Sequence, residues 1–412
     1  MSRGFRAAVV WILGVVALGG GLGACGSEKD SAVKDGSDTL TIYSSLPLQG
    51  PDRERARDMV NAIKLALQEA GGKVGPFTLT YVPLDSATPE DATWTPDKVL
   101  DNARRAVRDL NAIAYIGERD SAATALSLPL TNEGHVLQVS PSSTYDGLTR
   151  MSRRQGEPQR FYPSGERTFA RVVPADHVQA AALVGYMKAS GVRRLAMLAD
   201  REIYGGGIAD EVEKAAARQG IEVIDRGRID ASRGDLSGAA SGVAETGADA
   251  FLFAGTTDTG AARIFTAVAE ASPSMLLFGP AAVADQAFLD ALSPAVQRQM
   301  RVTTPALPPR LLPRSAREFR DRFRMTFGRQ PAPEALQAYE AASAVLHAIG
   351  SAGTRGNNRQ AVTDAFLAIR NRNSVLGRYS IDANGDTSLS TYAGNRVRRA
   401  QFVLDKVLEV RG

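Results

Sequence analysis

The stretch AIAYIGERDSAATALSLPLTNEGHVLQVSPSST, residues 112–144, contains the alternation that decides the fold. The apolar runs at 112–116 and 136–140 have the length and composition of buried strands, and residues 121–132 between them have those of a helix. Two strands separated by such a helix cannot form a hairpin, and they need a right-handed crossover between parallel neighbours. The stretch therefore predicts a βαβ unit in a parallel sheet.

The same alternation extends to both sides of this unit. Before it we predict strands at 39–44 and 77–84 and helices at 53–70 and 95–110. A second series of strands and helices begins near residue 169 and continues to about residue 278. Two such series predict an α/β fold with two lobes, each a parallel sheet flanked by helices. Residues 151–167, which carry four arginines among prolines and glycines, are expected to be a surface excursion between the two series.

The C-terminal part is expected to complete the two lobes, not to form a third domain. Residues 377–381 and 399–410 have the composition of strands, and the turn dipeptide Asn384-Gly385 lies between them. In the second series, we expect a helix to begin at Ile208, directly after the glycine run at 205–207.

The N-terminus has the pattern of a bacterial lipoprotein signal. Arg3 and Arg6 precede an apolar run and a small-residue region, and Cys25, the only cysteine, follows directly. We therefore expect a signal peptide at 1–24, acylation of Cys25, and a flexible tether at 25–38 that holds an extracytoplasmic body at the bacterial cell membrane. The apolar run is shorter than the roughly 20 residues that a spanning helix needs.

Composition excludes several functional classes. With 44% hydrophobic and 23% charged residues the chain is globular, and its net charge of +4 is too small and too evenly mixed for a nucleic-acid surface. None of the three histidines has a metal spacing or lies beside a nucleophile motif. Asp382, Asn384 and Asp386 alternate as in a calcium loop, but the glycine and glutamate of that loop are absent. We expect no nucleic acid, metal or cofactor, and no enzymatic activity.

Several short motifs occur in a defined order along the chain. They are LQGP at 48–51, YIG at 115–117, SAAT at 121–124, QVSPSST at 138–144, DREIYG at 200–205 and FGP at 278–280. In order and spacing, residues 39–410 resemble the Leu/Ile/Val-binding type of periplasmic solute-binding protein, which has the type I fold of two lobes joined by three crossover strands. The implied lobes are 39–171 plus 305–378 and 172–304 plus 379–412.

The resemblance implies a monomeric receptor for an ABC importer. Such a protein closes on a small polar ligand, here a branched-chain amino acid or a related carboxylate or amide, and presents it to the transporter permease. A ligand-sensing receptor of the same fold that signals to a membrane partner is the alternative.

The implied binding site lies at the carboxyl ends of the strands. Ser121, Ser142 and Thr144 match residues that hold the ligand carboxylate in amino-acid-binding relatives, and Ser143 lies in the same loop. From the other lobe, Tyr204 matches an aromatic residue that covers the ligand. The general rule for parallel sheets agrees with this placement, and the first free amides of the helix at Ser121 suit an anion. A simpler interpretation makes Ser121 a helix cap and residues 142–144 an ordinary turn.

Two positions depart from the pattern of these relatives. Ala281 stands where they have an acidic residue for the ligand ammonium, and Thr256 stands where they have an aromatic wall. Asp258, Asp120 and Glu118 are the nearest acids in sequence that could substitute, although each is equally a candidate for a solvated loop charge. An ammonium buried without a carboxylate costs several kcal/mol. A carboxylate or amide ligand that lacks an amine therefore competes with an amino acid.

Overall fold

The computed structural model describes residues 37–89 and 93–410 of the chain. The predicted signal peptide, Cys25 and nearly all of the tether lie outside these residues, so what we predict for them stays a prediction. Within the described residues, no helix combines the length and the apolar composition needed to cross a membrane.

The described chain alternates strands and helices throughout. The strands are β1 Thr39–Leu46, β2 Lys73–Val74, β3 Phe77–Asp85, β4 Ala112–Ile116, β5 Leu137–Ser140, β6 Phe169–Arg171, β7 Arg194–Ala199, β8 Glu222–Arg228, β9 Ala250–Ala254, β10 Leu276–Gly279, β11 Met300–Thr304, β12 Arg372–Ser374, β13 Gly377–Tyr379, β14 Thr391–Arg398 and β15 Gln401–Glu409. The helices are α1 Arg53–Glu69, α2 Pro96–Arg108, α3 Ser121–Glu133, α4 Asp176–Ala189, α5 Ile203–Gln219, α6 Ser237–Glu245, α7 Ala261–Ala271, α8 Gln286–Asp290, α9 Pro294–Gln299, α10 Arg314–Phe327, α11 Ala335–Ser351 and α12 Arg359–Leu367.

The first sheet has the strand order β2-β3-β1-β4-β5-β6, and all its strands except the short β2 run parallel. Helices α1, α10, α11 and α12 pack on one face, and α2 and α3 cover the other. The register pairs Ser44 with Ile116 and Ile116 with Val139, so that β1, β4 and β5 end at one edge of the sheet. This confirms the βαβ unit predicted from residues 112–144.

The second sheet has the order β15-β14-β11-β10-β9-β7-β8. Strands β7 to β11 run parallel, and β14 and β15 are antiparallel additions. Buried residues of α4 and α5 pack on one face, and those of α6 to α9 pack on the other. The architecture is therefore the predicted α/β arrangement of two helix-flanked parallel sheets.

The chain passes between the sheets three times. It leaves the first sheet after β6, returns after β11 so that α10 to α12 complete the first core, and leaves again after β13 to form β14 and β15. The passages at 172–175, 305–313 and 380–390 are mostly irregular segments, where we expected strands. Three separate connections leave the two sheets joined but distinct.

Helix α5 begins five residues earlier than predicted, at Ile203 instead of Ile208. The glycine run, which we expected directly before the helix, lies inside its first turns. Tight packing explains the glycines, because a Cβ on Gly205 would overlap the Asp200 carboxylate and the Ala254 carbonyl. The close approach of neighbouring chain, not flexibility, selects glycine here, and it brings Tyr204 into a helix.

The C-terminal pairing also differs from our prediction. Residues 377–379 pair with β12, and the last hairpin is instead formed by β14 and β15. Its turn is Arg399-Ala400, and both residues have positive φ. Strand β14, with the sequence TYAGNRVR, contains glycine, asparagine and arginine that disfavour a strand prediction, and pairing on both sides overrides that preference.

The excursion at 151–167 is more packed than a surface loop. Phe161 is 1% exposed and belongs to an apolar cluster that includes Leu128 of α3 and Ile203 of α5. The Tyr145 hydroxyl donates to the buried Glu157 carboxylate at 2.5 Å. This segment thus joins helices that belong to different sheets.

Candidate functional site

The carboxyl ends of the two parallel sheets face each other. Tyr145, which follows β5 of the first sheet, lies so close to Gly207 of α5 that a Cβ at residue 207 would overlap its ring. At the rim, Arg55 of α1 and Asp285, the capping residue of α8, approach to 3.9 Å. These contacts show that the sequence segments predicted to bind a ligand are brought to one place.

Ser121 is the first residue of α3 and is 4% exposed. Its hydroxyl accepts from the Tyr145 amide at 3.3 Å and keeps its own proton for another acceptor. Ser121 is not the helix cap, because the Asp120 carboxylate takes that role and accepts from the amides of Ala122 at 2.7 Å and Ala123 at 3.4 Å. Those two amides are therefore not free for an anion, contrary to our expectation, and the hydroxyl of Ser121 remains a donor at this helix start.

The loop after β5 places its three hydroxyl residues differently. Ser143 is 1% exposed, and its hydroxyl bonds to Thr124 at 2.7 Å and to the Glu118 carbonyl at 3.1 Å. Ser142 is half-buried and donates to the Arg119 carbonyl at 2.8 Å. These two hydroxyls hold the loop, whereas half-buried Thr144 faces the second sheet, where its carbonyl accepts from the Asp176 amide at 2.9 Å.

Tyr204 and Ala281 both contact the side chain of Gln179, on a helix that packs against the second sheet. Gln179, in the first turns of α4, approaches the Tyr204 hydroxyl at 3.5 Å and accepts from the Ala281 amide at 2.6 Å. Burial, and then the charge of Asp176, raise the pKa of Tyr204 well above its usual value. The sequence did not indicate Gln179, whose amide group links the two predicted positions.

Thr256 lies in a hydroxyl network at the end of β9. Its amide donates to the Thr259 hydroxyl at 2.9 Å, and that hydroxyl donates to the Asp200 carboxylate at 2.8 Å. The largest effect on the pKa of Asp200 is burial, which raises it to about 6. Thr256 is thus part of the polar wall of the second sheet at a position where the resemblance implies an aromatic one.

Three acids were predicted as substitutes for the missing ammonium partner. Asp120 is committed to capping α3. Glu118 is 1% exposed and bonded by the Tyr115 hydroxyl, and burial raises its pKa to about 8. Asp258 is exposed at the rim, where it lies among the charges of Asp52, Arg119, Asp285 and Arg55. In this structure, none of the three is a free carboxylate facing Thr144 and Tyr204.

Asp176 is the acid that sequence reasoning missed. It is the first residue of α4 and fully buried, its carboxylate oxygens have no hydrogen bond of normal geometry among the described residues, and the side chain of Thr144 is its polar neighbour. Burial, followed by the charge of Asp146, raises its pKa to about 8. An acidic residue in the first turn of a helix is ordinary because it complements the helix dipole, so the sequence carried little signal. Only its place directly after a crossing between the sheets could have drawn attention to it.

A second buried acid lies nearby and is fully paired. Asp386 accepts from Arg171 and from Arg150, each at 2.7 Å, and from the Thr149 hydroxyl at 3.2 Å. Burial alone would raise the pKa of Asp386, but the two guanidinium groups outweigh burial and lower it to about 2. Among residues 37–89 and 93–410, no group of three or more His, Cys, Asp or Glu side chains is arranged to hold a metal ion.

Comparison with known proteins agrees with the fold of two helix-flanked parallel sheets. A family model described as periplasmic binding protein matches residues 39–397. The Leu/Ile/Val-binding protein homolog 2 of Brucella abortus is 24% identical over 365 residues, which are 86% of this chain and 89% of the relative.

Solved structures share the fold over nearly their whole length. The leucine binding protein LivK of Thermotoga maritima superposes with a TM-score of 0.76 at 22% identity, covering 90% of this chain and 99% of LivK. A solute binding protein of an ABC transporter from R. palustris, solved in complex with benzoate, gives a TM-score of 0.72 at 17% identity, covering 91% and 98%. At these identities the likeness establishes the fold alone.

Proposed function

Because the chain belongs to the periplasmic binding protein family, we propose that it is the extracytoplasmic solute-binding protein of an ABC importer. The observation that supports the proposal is that the Thr144 carbonyl of the first sheet accepts from the first residue of α4, the helix whose Gln179 contacts Tyr204 and Ala281 of the second. A small solute held there would contact both sheets at once.

The ligand class that we propose is a small polar solute with a carboxylate, such as a branched-chain amino acid or a related acid or amide. Ser121 retains a hydroxyl proton at the start of α3, and Thr144 is half-buried beside it in the same edge. Charge-assisted hydrogen bonds from such donors are stronger than neutral ones. The ligands named for two structural relatives, leucine and benzoate, both carry a carboxylate, which supports this class.

Closure of the two sheets on the solute would provide the signal for transport. Three irregular passages join the sheets, and the rim pair of Arg55 and Asp285 lies between them. A ligand that touches both sides favours the closed form by its differential affinity for that form. The permease would then recognise the closed form, as the family resemblance implies.

The experiment is a thermal-shift screen of the full chain, purified in detergent, against amino acids, their desamino acids, small amides and urea. A ligand at about 100 times its Kd adds roughly 2.7 kcal/mol of stability. For each stabilising solute we expect Ser121→Ala with Thr144→Ala to weaken binding at least tenfold, because charge-assisted hydrogen bonds contribute on the order of 1.5–3 kcal/mol each.

The matched control is Ser232→Ala with Thr326→Ala, which removes the same two hydroxyl types from exposed positions. If the site variant binds within twofold of the wild-type affinity, the carboxylate site is misplaced. If no small solute stabilises the wild-type chain, the proposed function itself fails.

We also propose that Cys25 anchors the protein to the membrane through its acyl chains. The support is the position of the only cysteine directly behind a signal-like segment. Cys25→Ala should remove acyl labelling and move the protein out of the membrane fraction. Unchanged labelling would contradict the anchor.

A further inference from the structure

We propose that the outward side of helix α10 binds the phosphate groups of anionic lipids, so that the first sheet unit lies against the membrane surface through this helix. This surface contains none of the residues of the proposed ligand site, and the inference goes beyond the proposed function. Three observations support it: the charge of the helix, the exposed apolar side chains at its ends, and its place in the fold beside the start of β1.

The charge on and directly before α10 is strongly positive. Residues 310–325 contain six arginines and only two acids, Glu318 and Asp321. The helix buries Phe319 and Phe323 in the first core, so its opposite side faces outward. The exposed arginines of this stretch are Arg310, Arg314, Arg317 and Arg324. Arginines on the outward side of an amphipathic helix create a positive potential that attracts an anionic surface.

Much of this charge is not neutralised within the chain. Arg314 pairs with Glu318 at 2.6 Å, but this pair is exposed, and exposed pairs are weak enough for the arginine to turn to another anion. Arg317 donates to the Leu312 carbonyl at 2.6 Å. Within the part of the chain that the structure describes, neither Arg317 nor Arg310 forms an ion pair. Guanidinium groups bind phosphate oxygens through paired hydrogen bonds, so a lipid phosphate supplies the missing counter-charge.

Two exposed apolar side chains flank these arginines. Leu311 is 42% exposed directly before α10, and Met325 is 74% exposed in its last turn. They are about 20 Å apart at 1.5 Å per residue, too far to form the continuous apolar core of a protein interface. Isolated apolar side chains beside arginines suit the boundary between headgroups and acyl chains. The arrangement therefore favours a lipid surface over an acidic protein.

The position of α10 in the fold places this surface near the start of β1. Arg322 of α10 donates to Glu69, at the end of α1, at 2.6 Å. Helix α1 follows β1 and runs back across the parallel sheet, so it ends at the edge where β1 begins. Residues 26–38 separate β1 from Cys25, and a random coil of this length spans about 20 Å. A body anchored through Cys25 can therefore bring α10 to the membrane.

The test measures partition of the full chain between buffer and lipid vesicles. All proteins carry Cys25→Ala, so no acyl chain contributes and the result does not depend on the anchor. One set of vesicles is an equimolar mixture of POPC and POPG, and the other is POPC alone. The α10 variant carries Arg310→Gln, Arg314→Gln and Arg317→Gln.

The matched control removes three exposed arginines from α2, which covers the opposite face of the first sheet. It carries Arg104→Gln, Arg105→Gln and Arg108→Gln. Like Arg314, Arg104 forms an exposed pair within its helix, here with Asp101 at 3.2 Å. The two variants thus lose the same charge, and their identical N-terminal residues contribute equally to partition.

We expect the parent chain to bind the POPG vesicles at least tenfold more tightly than POPC alone, and to lose this preference at high salt, which screens exposed charges. The α10 variant should bind the POPG vesicles at least tenfold more weakly, because each arginine near an anionic surface contributes roughly fivefold. The α2 variant should change less than threefold. Equal losses in the two variants would overturn the inference, because net charge alone would then explain the binding.

A parent chain that binds both kinds of vesicle equally would also overturn it, whatever the variants do. All six arginines are exposed, so both variants should melt as the parent chain does. No outcome involves the transported solute, so the proposed function is tested separately by the thermal-shift screen.

Discussion

Asp176 and Asp386 are two buried aspartates at the junction of the sheets, and their surroundings are opposite. Asp386 is 3% exposed and receives two guanidinium groups and a hydroxyl. Asp176 is 0% exposed and has no hydrogen bond of normal geometry among the described residues, where the Thr144 side chain is its polar neighbour. The pKa of Asp386 is lowered to about 2, because its arginines outweigh burial, and that of Asp176 is raised to about 8, chiefly by burial.

The difference separates an acid whose charge the fold pairs from an acid whose charge the fold disfavours. Asp386 joins the last passage between the sheets to Arg171 at the end of β6, so its charge is used within the chain. Asp176 has no comparable ion pair, although it lies where both sheets approach. Comparable burial with opposite pairing shows that the partners of a carboxyl, and not burial alone, set the direction in which its pKa moves.

The largest effect should follow from breaking the paired site. Asp386→Asn leaves the fully buried Arg171 without its counter-charge. Removing one partner of a buried pair is expected to lower the free energy of unfolding by about 3–5 kcal/mol. Urea denaturation at pH 7 measures this loss, with Asp230→Asn at an exposed ion pair as the control. A loss below about 1 kcal/mol would mean that the pair does not hold the junction.

The unpaired site should respond in the opposite direction. For the unliganded chain, Asp176→Asn is expected to raise the free energy of unfolding at pH 7 by about 1–3 kcal/mol, because it removes a buried carboxyl that must take up a proton when the chain folds. The folded pKa of about 8 lies above the unfolded value of about 3.9, so the wild-type chain loses stability as pH rises between these values. The advantage of the variant should therefore be smallest near pH 4 and largest above pH 8.

Denaturation of both proteins across this pH range measures the difference directly. The other groups that face Asp176 are shared by the two proteins and largely cancel; they are Asp146, Arg171, Glu211, Tyr204 and Tyr392. A difference that does not change with pH would show that Asp176 is not an isolated buried acid.

The smallest effect is expected for two buried tyrosines, one with a hydrogen-bonded hydroxyl and one without. The Tyr379 hydroxyl donates to Glu340 at 2.7 Å, whereas the Tyr392 hydroxyl has no partner among the described residues. Tyr379→Phe should cost about 1.5–3 kcal/mol of unfolding free energy, and Tyr392→Phe should leave it within about 0.5 kcal/mol. Equal losses in calorimetric melts would show that the Tyr392 hydroxyl has an internal partner.

The fold followed from the sequence because hydrophobic periodicity is a local property. The apolar runs at 112–116 and 136–140 became β4 and β5, and the intervening residues became α3. The hydrophobic pattern was misleading where tertiary contacts determine the secondary structure. Residue 205 of helix α5 is a glycine because no larger residue fits against Asp200. Residues 391–398 form strand β14 because they pair with a neighbouring strand on each side.

The position that we propose for the site follows from the sequence and stays a prediction, whereas its detailed contacts do not follow from the sequence. Strand ends carry ligand sites in parallel sheets, and this rule together with the resemblance placed Ser121, Thr144 and Tyr204 near one another. Which hydroxyls are already engaged, as that of Ser143 is, depends on contacts between distant segments. The burial of Asp176 was not visible either, because an acid at the start of a helix is common and its surroundings appear only in three dimensions.

The most direct measurement is a crystal structure of the chain grown with the small solute that stabilises it most. We expect closed sheets, with the ligand carboxylate within hydrogen-bond distance, about 3 Å, of the Ser121 and Thr144 hydroxyls. A ligand whose carboxylate contacts other residues, or whose atoms lie outside the facing strand ends, would contradict the proposed site.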